Sequence, residues 1–337
     1  MPVEHNQPLK KLNTFGMDVS ARFLARIRNQ EELSGLLASS IYRDNHHLVL
    51  GGGSNILFTG DFDGLVIHMD ARGMEVVGET SHQVFLKVQA GEPWDPLVAF
   101  CVDRGWGGLE NLSLIPGQAG SSPVQNIGAY GAELKDCFHS LEALEKDNGK
   151  MREFSREECQ FKYRDSYFKQ EGRDRFIIMS VTFCLNKAAG PNTRYGNLDE
   201  ELESMGCRRP GIAHVREAVC RIRRRKLPDP QLLGNAGSFF KNPVVGHGTY
   251  SKLKERFPGM VAYPGAGQVK LAAGWLIEQA GWKGVRQGEA GVHSEQALVL
   301  VNHGNASGAG ILQLAREIMQ SVEHKYGIRL EPEVLIV

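Results

Sequence analysis

Short apolar runs at RFLARIR (22–28), HLVLG from His47, DGLVIH (63–68) and HQVFLKV (82–88) read as strands. HSLEALEK, KMREF and RFIIMSVTFCL, all after residue 137, read the same way. Within CQFKYRDSYFK, Phe161 and Tyr163 alternate with polar neighbours and predict a half-buried strand ending near Arg164. Helical spacing falls between these runs: Asn29 to Leu37 with Asn29 as N-cap, Glu92 to Asp103 with proline in the first turn, and Gly211 to Arg225 with Val215, Val219 and Ile222 on one face. Further on, helices are predicted from Val269 to Gln279, ended by Gly281, and from Gly310 to about Tyr326. Strands are predicted at 297–301 and at the closing EPEVLIV.

One stretch fits neither period. Residues 107–131, GGLENLSLIPGQAGSSPVQNIGAYG, hold six glycines and a single formal charge, Glu110. Leu109, Leu112, Leu114, Ile115, Val124, Ile127 and Tyr130 give it apolar anchors, so it reads as a packed loop. Glycines admit a ligand close to the backbone, and N–H groups in successive turns cradle anions, so the loop suits a pyrophosphate. A structural Ω-loop has the same composition. A second glycine turn, Gly51-Gly52-Gly53-Ser54-Asn55, follows the strand at His47 and leads into the apolar run Ile56-Leu57-Phe58. It therefore departs from the Rossmann pattern, which continues into a helix. The chain has no Walker sequence and no G-x-S-x-G elbow.

The 337 residues allow two or three domains, and Pro228-Asp229-Pro230 makes a natural boundary. Thirty-nine basic and thirty-nine acidic residues cancel, so no net field points to nucleic acid or an anionic membrane. No window has the length and apolarity of a signal peptide or membrane span, which predicts a cytoplasmic protein. Six cysteines without a C-x-x-C pair predict reduced thiols and no metal site. Arg221, Arg223, Arg224, Arg225 and Lys226 close the 211–225 helix, where cations offset its dipole at a solvated end, with one or two left to reach a phosphate.

Six short stretches occur in order: NTFG at 13–16, GGGSN at 51–55, GLENLSLIPGQAGSSPVQNIGAYGAE at 108–133, YRDSYFK at 163–169, GSFFKNP at 237–243 and EPEV at 331–334. Together they closely resemble the UDP-N-acetylenolpyruvoylglucosamine reductases, also called UDP-N-acetylmuramate dehydrogenases, over nearly the whole chain. The resemblance implies an α+β (mixed α/β) fold. A two-part FAD-binding region of the vanillyl-alcohol-oxidase (PCMH) type would occupy 1–69 and 70–226, with 327–337 returning to it as a strand. An α/β domain for the UDP-sugar would occupy 227–326. It implies non-covalent FAD held by Gly51, Gly52, Gly53, Ser54 and Asn55, and by Pro116, Gly117, Gly120, Ser121, Ser122, Asn126, Ile127 and Gly128.

By the same matching Arg164, Ser238 and Glu333 fall on the catalytic positions, and Tyr195, Lys226, Asn242 and Gln296 on those contacting the UDP-sugar. Tyr263-Pro264 and the VKLAAGWLIEQAG run resemble the longer type I branch, in which a tyrosine closes over the substrate. The implied activity is NADPH-dependent reduction of UDP-N-acetylglucosamine-enolpyruvate to UDP-N-acetylmuramate for peptidoglycan, and so for cell-wall biogenesis, cell shape and division. A monomer is expected. Val337 stands four positions after Glu333 (337 − 333), where relatives often continue, so looser packing around Glu333 is expected. An oxidoreductase acting on an alcohol or sugar lactone from the same flavin scaffold, and a flavin- or nucleotide-sugar-binding protein without turnover, are the competing readings.

Overall fold

The computed structural model describes residues 2–188, 190–265 and 267–337. The chain divides into two compact units. One gathers the residues up to Gln7, Ala21–Gly52 and Asp63–Arg225; the other gathers Pro8–Ser20, Gly53–Phe62 and Lys226–Val337.

The first unit is built on two sheets. One has the strand order Glu4–Pro8, Ser20–Ile27, Phe62–Met69, His47–Leu50, the last two running parallel with Leu50 opposite His68. The other is antiparallel, in the order Met151–Ser155, Phe138–Glu145, Phe176–Asn186, Gln83–Gln89, Met74–Glu79. The strand expected at 82–88 is present as Gln83–Gln89, where burial alternates: Val84, Leu86 and Val88 are buried and their neighbours half-buried. The central strand Phe176–Asn186 is buried along nearly its whole length, Ser180 and Thr182 included, because both of its faces are covered. Ile177 and Met179 join Ala25, Ile27, Leu33, Leu65 and Ile67 in one core, while Val181 and Phe183 join the cluster around Trp94. Asn29 caps the helix Gln30–Leu37 by accepting from the Glu32 N–H at 2.8 Å.

The second unit pairs Gly234–Ser238, Val299–Asn302, Ala290–Val292 and Arg286–Gln287 antiparallel, in that order. The helix Gly308–Tyr326 buries Ile311, Leu314, Ile318 and Val322 and ends at Gly327 in the left-handed conformation that a C-terminal cap favours. A second small sheet orders Val244–Gly246, Gln268–Leu271 and Ala262–Pro264, and the closing strand Leu335–Ile336 runs parallel to Ile56–Leu57.

Two predicted elements are corrected. The 159–164 strand is absent: Gln160 and Arg164 have φ of 48° and 54°, and the chain turns through an isolated bridge between Lys162 and Asp165. The helix expected from Val269 begins at Ala273, because Val269 and Leu271 are buried in a strand paired on both sides. The strand Met74–Glu79 and the helices Leu198–Ser204 and His247–Arg256 were not predicted.

Candidate active site

The 107–131 loop is stitched to the chain entering the helix Trp94–Asp103. Ala90 O accepts from Gly120 N (2.9 Å) and Glu92 O from Ala119 N (2.8 Å), while Trp94 N donates to Gly117 O (3.0 Å). Trp94 Nε1 donates to Leu112 O (2.8 Å), and the Asp95 carboxylate accepts from Leu114 N (2.7 Å). Glycine at 120 serves this contact, since a Cβ there would lie 2.4 Å from that of Ala90. The loop is thus a fixed wall, with Leu109, Leu112 and Ala119 fully buried.

Against this wall lies the first glycine turn. A Cβ on Gly52 would meet Gly117 Cα at 3.0 Å, and one on Gly51 would meet Gln118 Oε1 at 3.1 Å and Ser121 Cβ at 3.6 Å. The N–H groups of Gly51, Gly52 and Gly117 have no protein acceptor among the described residues. Unpaired N–H groups at a point where two backbones touch suit an anion nest, and such a nest needs no lysine or arginine. The Gln118 side chain is 7% exposed and its Oε1 has no hydrogen-bond partner. Free donors, an orphaned buried polar atom and tightly apposed glycines fit the pyrophosphate part of FAD.

Of the other residues matched to the cofactor, Ser122 is buried and donates to Ala119 O (2.6 Å). Asn126, fully buried, spends both ends of its amide inside the unit: Nδ2 donates to Lys162 O (3.1 Å) and Glu133 Oε2 (3.1 Å), and Oδ1 accepts from Lys135 N (3.1 Å). It thereby brings the turn of Arg164 to the loop. Arg164 is half-buried rather than a surface cation: Nη2 donates to Gly128 O at 2.7 Å, and the guanidinium lies 5.4 Å from the Tyr163 ring centre. Tyr195 is exposed beside Gly131 and Asn192.

The basic end of the helix Ile212–Lys226 is only partly the solvated cluster expected. Arg221 pairs with Glu217 and Arg225 with the buried Glu201, each at 2.7 Å. Arg223 is turned inward: its Nε is sealed from solvent without a partner, and burial pushes its pKa down against the opposing influence of Tyr130, Cys220 and Asp95. Asp95 is itself engaged by Arg216 at 2.7 and 3.0 Å. Sequence reasoning passed over Asp95, Gln118 and Arg216; only the unusual polarity of the 107–131 loop pointed to Gln118.

In the second unit, NTFG is a fastening. Asn13 holds Leu9 O, Met17 O and Met17 N; Thr14 O accepts from Asn235 N (3.0 Å); Phe15 O accepts from Asn302 Nδ2 (2.9 Å). Gly53, at φ 60°, packs against it so closely that a Cβ would lie 1.9 Å from Leu12 O. Gly53→Ala is expected to destabilise this unit by about 2–4 kcal/mol, combining overpacking with left-handed strain, and a lowered urea midpoint checks it.

Ser238 ends the strand Gly234–Ser238 after a register break, with Gly237 at φ 69° and its N–H held by Asn235 Oδ1 (2.9 Å). It is exposed, whereas Phe239 and Phe240 beyond it are buried. Phe239 O accepts from Glu333 N (2.8 Å), so the backbones carrying Ser238 and Glu333 are neighbours. Asn55 Nδ2 donates to Glu333 O (3.2 Å), Leu335 N to Asn55 O (3.0 Å) and Val337 N to Leu57 O (2.9 Å). The expected looseness around Glu333 is absent: the last residues are hydrogen-bonded on both sides of it. Ser54 precedes Asn55 in the same half-buried turn. Asn242 Oδ1 accepts from Ala273 N (2.9 Å) at the start of the helix Ala273–Gln279. Gln296 Oε1 lies against Gly274, and Tyr263 is exposed on an edge strand. Lys226 is the last residue of its helix, Pro116 precedes the cradle residue Gly117, and Ile127 precedes Gly128.

These features fit a flavoprotein, with an FAD-binding domain and a separate C-terminal domain. A family model for an FAD-binding domain matches residues 21–155, and a model described as the C-terminal domain of UDP-N-acetylenolpyruvoylglucosamine reductase matches 229–337. The chain is 51% identical over 326 residues to the UDP-N-acetylenolpyruvoylglucosamine reductase of Pseudomonas syringae pv. tomato, covering 96% of each chain. It is 49% identical over 334 residues to that of Pseudomonas aeruginosa, covering 99% of this chain and 98% of the other. The crystal structure of the Thermus caldophilus reductase aligns with a TM-score of 0.70 at 26% identity, over 100% of this chain and 99% of that one. The chain belongs to the UDP-N-acetylenolpyruvoylglucosamine reductase family.

Proposed function

We infer that this protein reduces the enolpyruvyl group of UDP-N-acetylglucosamine-enolpyruvate to give UDP-N-acetylmuramate for peptidoglycan, with NADPH as reductant. The observation that carries this reading is similarity at about half of all positions over nearly the full length of such reductases. When bound, FAD supplies a hydride carrier between NADPH and C3 of the enolpyruvyl group. The residue roles, and the division of the first unit into two FAD subdomains, are proposals. In support of the latter, that unit contains two separate sheets.

Arg164 pairs with the enolpyruvyl carboxylate, where charge grows as C3 is reduced, and its bond to Gly128 O fixes the guanidinium against the cofactor loop. Ser238 delivers the proton to C2. A hydroxyl is a weak acid, so it serves only a strongly basic carbon held close to it, and its exposure lets solvent return the proton. Glu333 orients the substrate carboxylate from a backbone pinned by Phe239 and Asn55. Tyr195, Lys226, Asn242, Tyr263 and Gln296 are assigned to the UDP-sugar. We also propose that the protein works as a monomer in the cytoplasm; among the described residues no helix is long and apolar enough to cross a membrane.

The test is anaerobic absorbance. NADPH should bleach the oxidised-flavin spectrum, and UDP-N-acetylglucosamine-enolpyruvate should restore it without oxygen. A flavin that stays bleached would move the substrate elsewhere, and a protein that takes up no FAD would remove the cofactor assignment.

A further inference from the structure

The nest formed by Gly51, Gly52 and Gly117 accounts for a phosphate, but not for the side chain beside it. Gln118 is 7% exposed, and its Oε1 lies 3.1 Å from where a Gly51 Cβ would stand, without a hydrogen-bond partner. Its main chain is satisfied: the Gln118 carbonyl accepts from Ser121 N (3.2 Å) and Ser121 Oγ (2.9 Å). A buried amide oxygen left unpaired is a cost that native proteins rarely carry without use. The neighbouring unpaired atoms, the N–H groups of Gly51, Gly52 and Gly117, are donors fixed in backbone.

Resting on the FAD-binding reading above, we propose that the Gln118 carboxamide is a direct hydrogen-bonding contact to FAD, next to its pyrophosphate. A carboxamide suits that position better than a carboxylate or an alkyl group. It carries an acceptor for sugar hydroxyls flanking the phosphates, and a half-turn about Cγ–Cδ presents its NH2 to phosphate oxygen. It also adds no negative charge to the nest.

The residue therefore has opposite effects in the two states of the protein. In the FAD-free chain it is a defect, and in the loaded chain it is a bond. Gln118→Leu keeps the volume and removes the polar atom. In the full chain stripped of FAD, its unfolding midpoint is expected to equal or exceed that of the parent. Its Kd for FAD, read from quenching of free FAD fluorescence, is expected to rise about five- to tenfold. Gln118→Glu keeps the shape but places a charge beside the pyrophosphate, and is expected to weaken FAD more than the leucine does.

An unchanged Kd in either variant overturns the proposal. So does a raised Kd accompanied by a lower FAD-free midpoint, because that pattern means a collapsed loop rather than a lost contact. If the parent chain itself fails to bind FAD, the cofactor reading falls first and takes this assignment with it.

Discussion

Ser238→Ala is expected to leave reduction of the flavin by NADPH nearly unchanged and to slow its reoxidation by the enolpyruvyl substrate about 10²–10⁴-fold, the range of a lost general acid. The structure makes this a clean substitution. Ser238 follows a glycine at φ 69° and a register break, but those demands fall on Gly237 and Asn235, not on the serine. The next residue is held by Phe239 N donating to Leu298 O (2.8 Å) and by its buried ring. An exposed alanine at 238 disturbs neither. Anaerobic stopped-flow absorbance separates the two half-reactions: flavin bleaching with NADPH alone, then its return on adding substrate. Equal loss in both would sink the proton-donor role and indicate a general defect of binding or folding.

Where local pattern determines structure, this sequence could be read. Val84, Leu86 and Val88 alternate because one face of their strand is buried, and Asn29 caps because its side chain reaches only as far as Glu32 N. Reading failed where a residue's role is set by distant partners. Gln160 and Arg164 take left-handed backbone conformations that alternation cannot reveal, so a tight turn looked like a strand. Arg223 sits in a run of cations at a helix end, where the helix dipole explains every member equally well, yet this one faces inward. Segments 8–20 and 53–62 cluster with the C-terminal part through Thr14, Phe15 and Asn55, whose partners lie up to 287 residues away. The candidate site divides likewise. The glycine turn and the 107–131 loop announced an anion cradle by composition, whereas Arg164, Ser238 and Glu333 had no chemical signal of their own and entered through resemblance alone.

Asp95 is the clearest case of a functional support hidden by an ordinary explanation. A carboxylate in the first turn of a helix complements its dipole, and nothing more is required to account for it. In the structure it joins three segments. One oxygen takes Leu114 N at 2.7 Å, where φ is 55°, and the two together take the fork of Arg216 from the helix Ile212–Lys226 at 2.7 and 3.0 Å. The side chains are 27% and 19% exposed, so the pair is largely shielded from water. Asp95→Ala is expected to cost about 2–4 kcal/mol, because it strands a half-buried guanidinium as well as a left-handed loop residue. It should also weaken FAD binding, since Leu114 leads directly into Pro116 and Gly117.

The dependence on pH follows from the same contacts. Burial pushes the Asp95 pKa up, but the hydrogen bonds from Arg216 and Leu114 N and the charges of Arg216 and Arg223 outweigh it and leave it below the ordinary value. A carboxylate with a depressed folded-state pKa contributes its full stability above the unfolded-state value of about 3.9, and loses it as pH falls through the lower, folded-state value. The urea midpoints of parent and variant should therefore differ most at neutral pH and converge in acid. Arg216→Met in the Asp95→Ala background should recover part of the loss at neutral pH, since it removes the stranded charge. If the double variant is no more stable than Asp95→Ala, the cost lies in Leu114 and the loop alone, and the ion pair is not what holds the cradle to the helix.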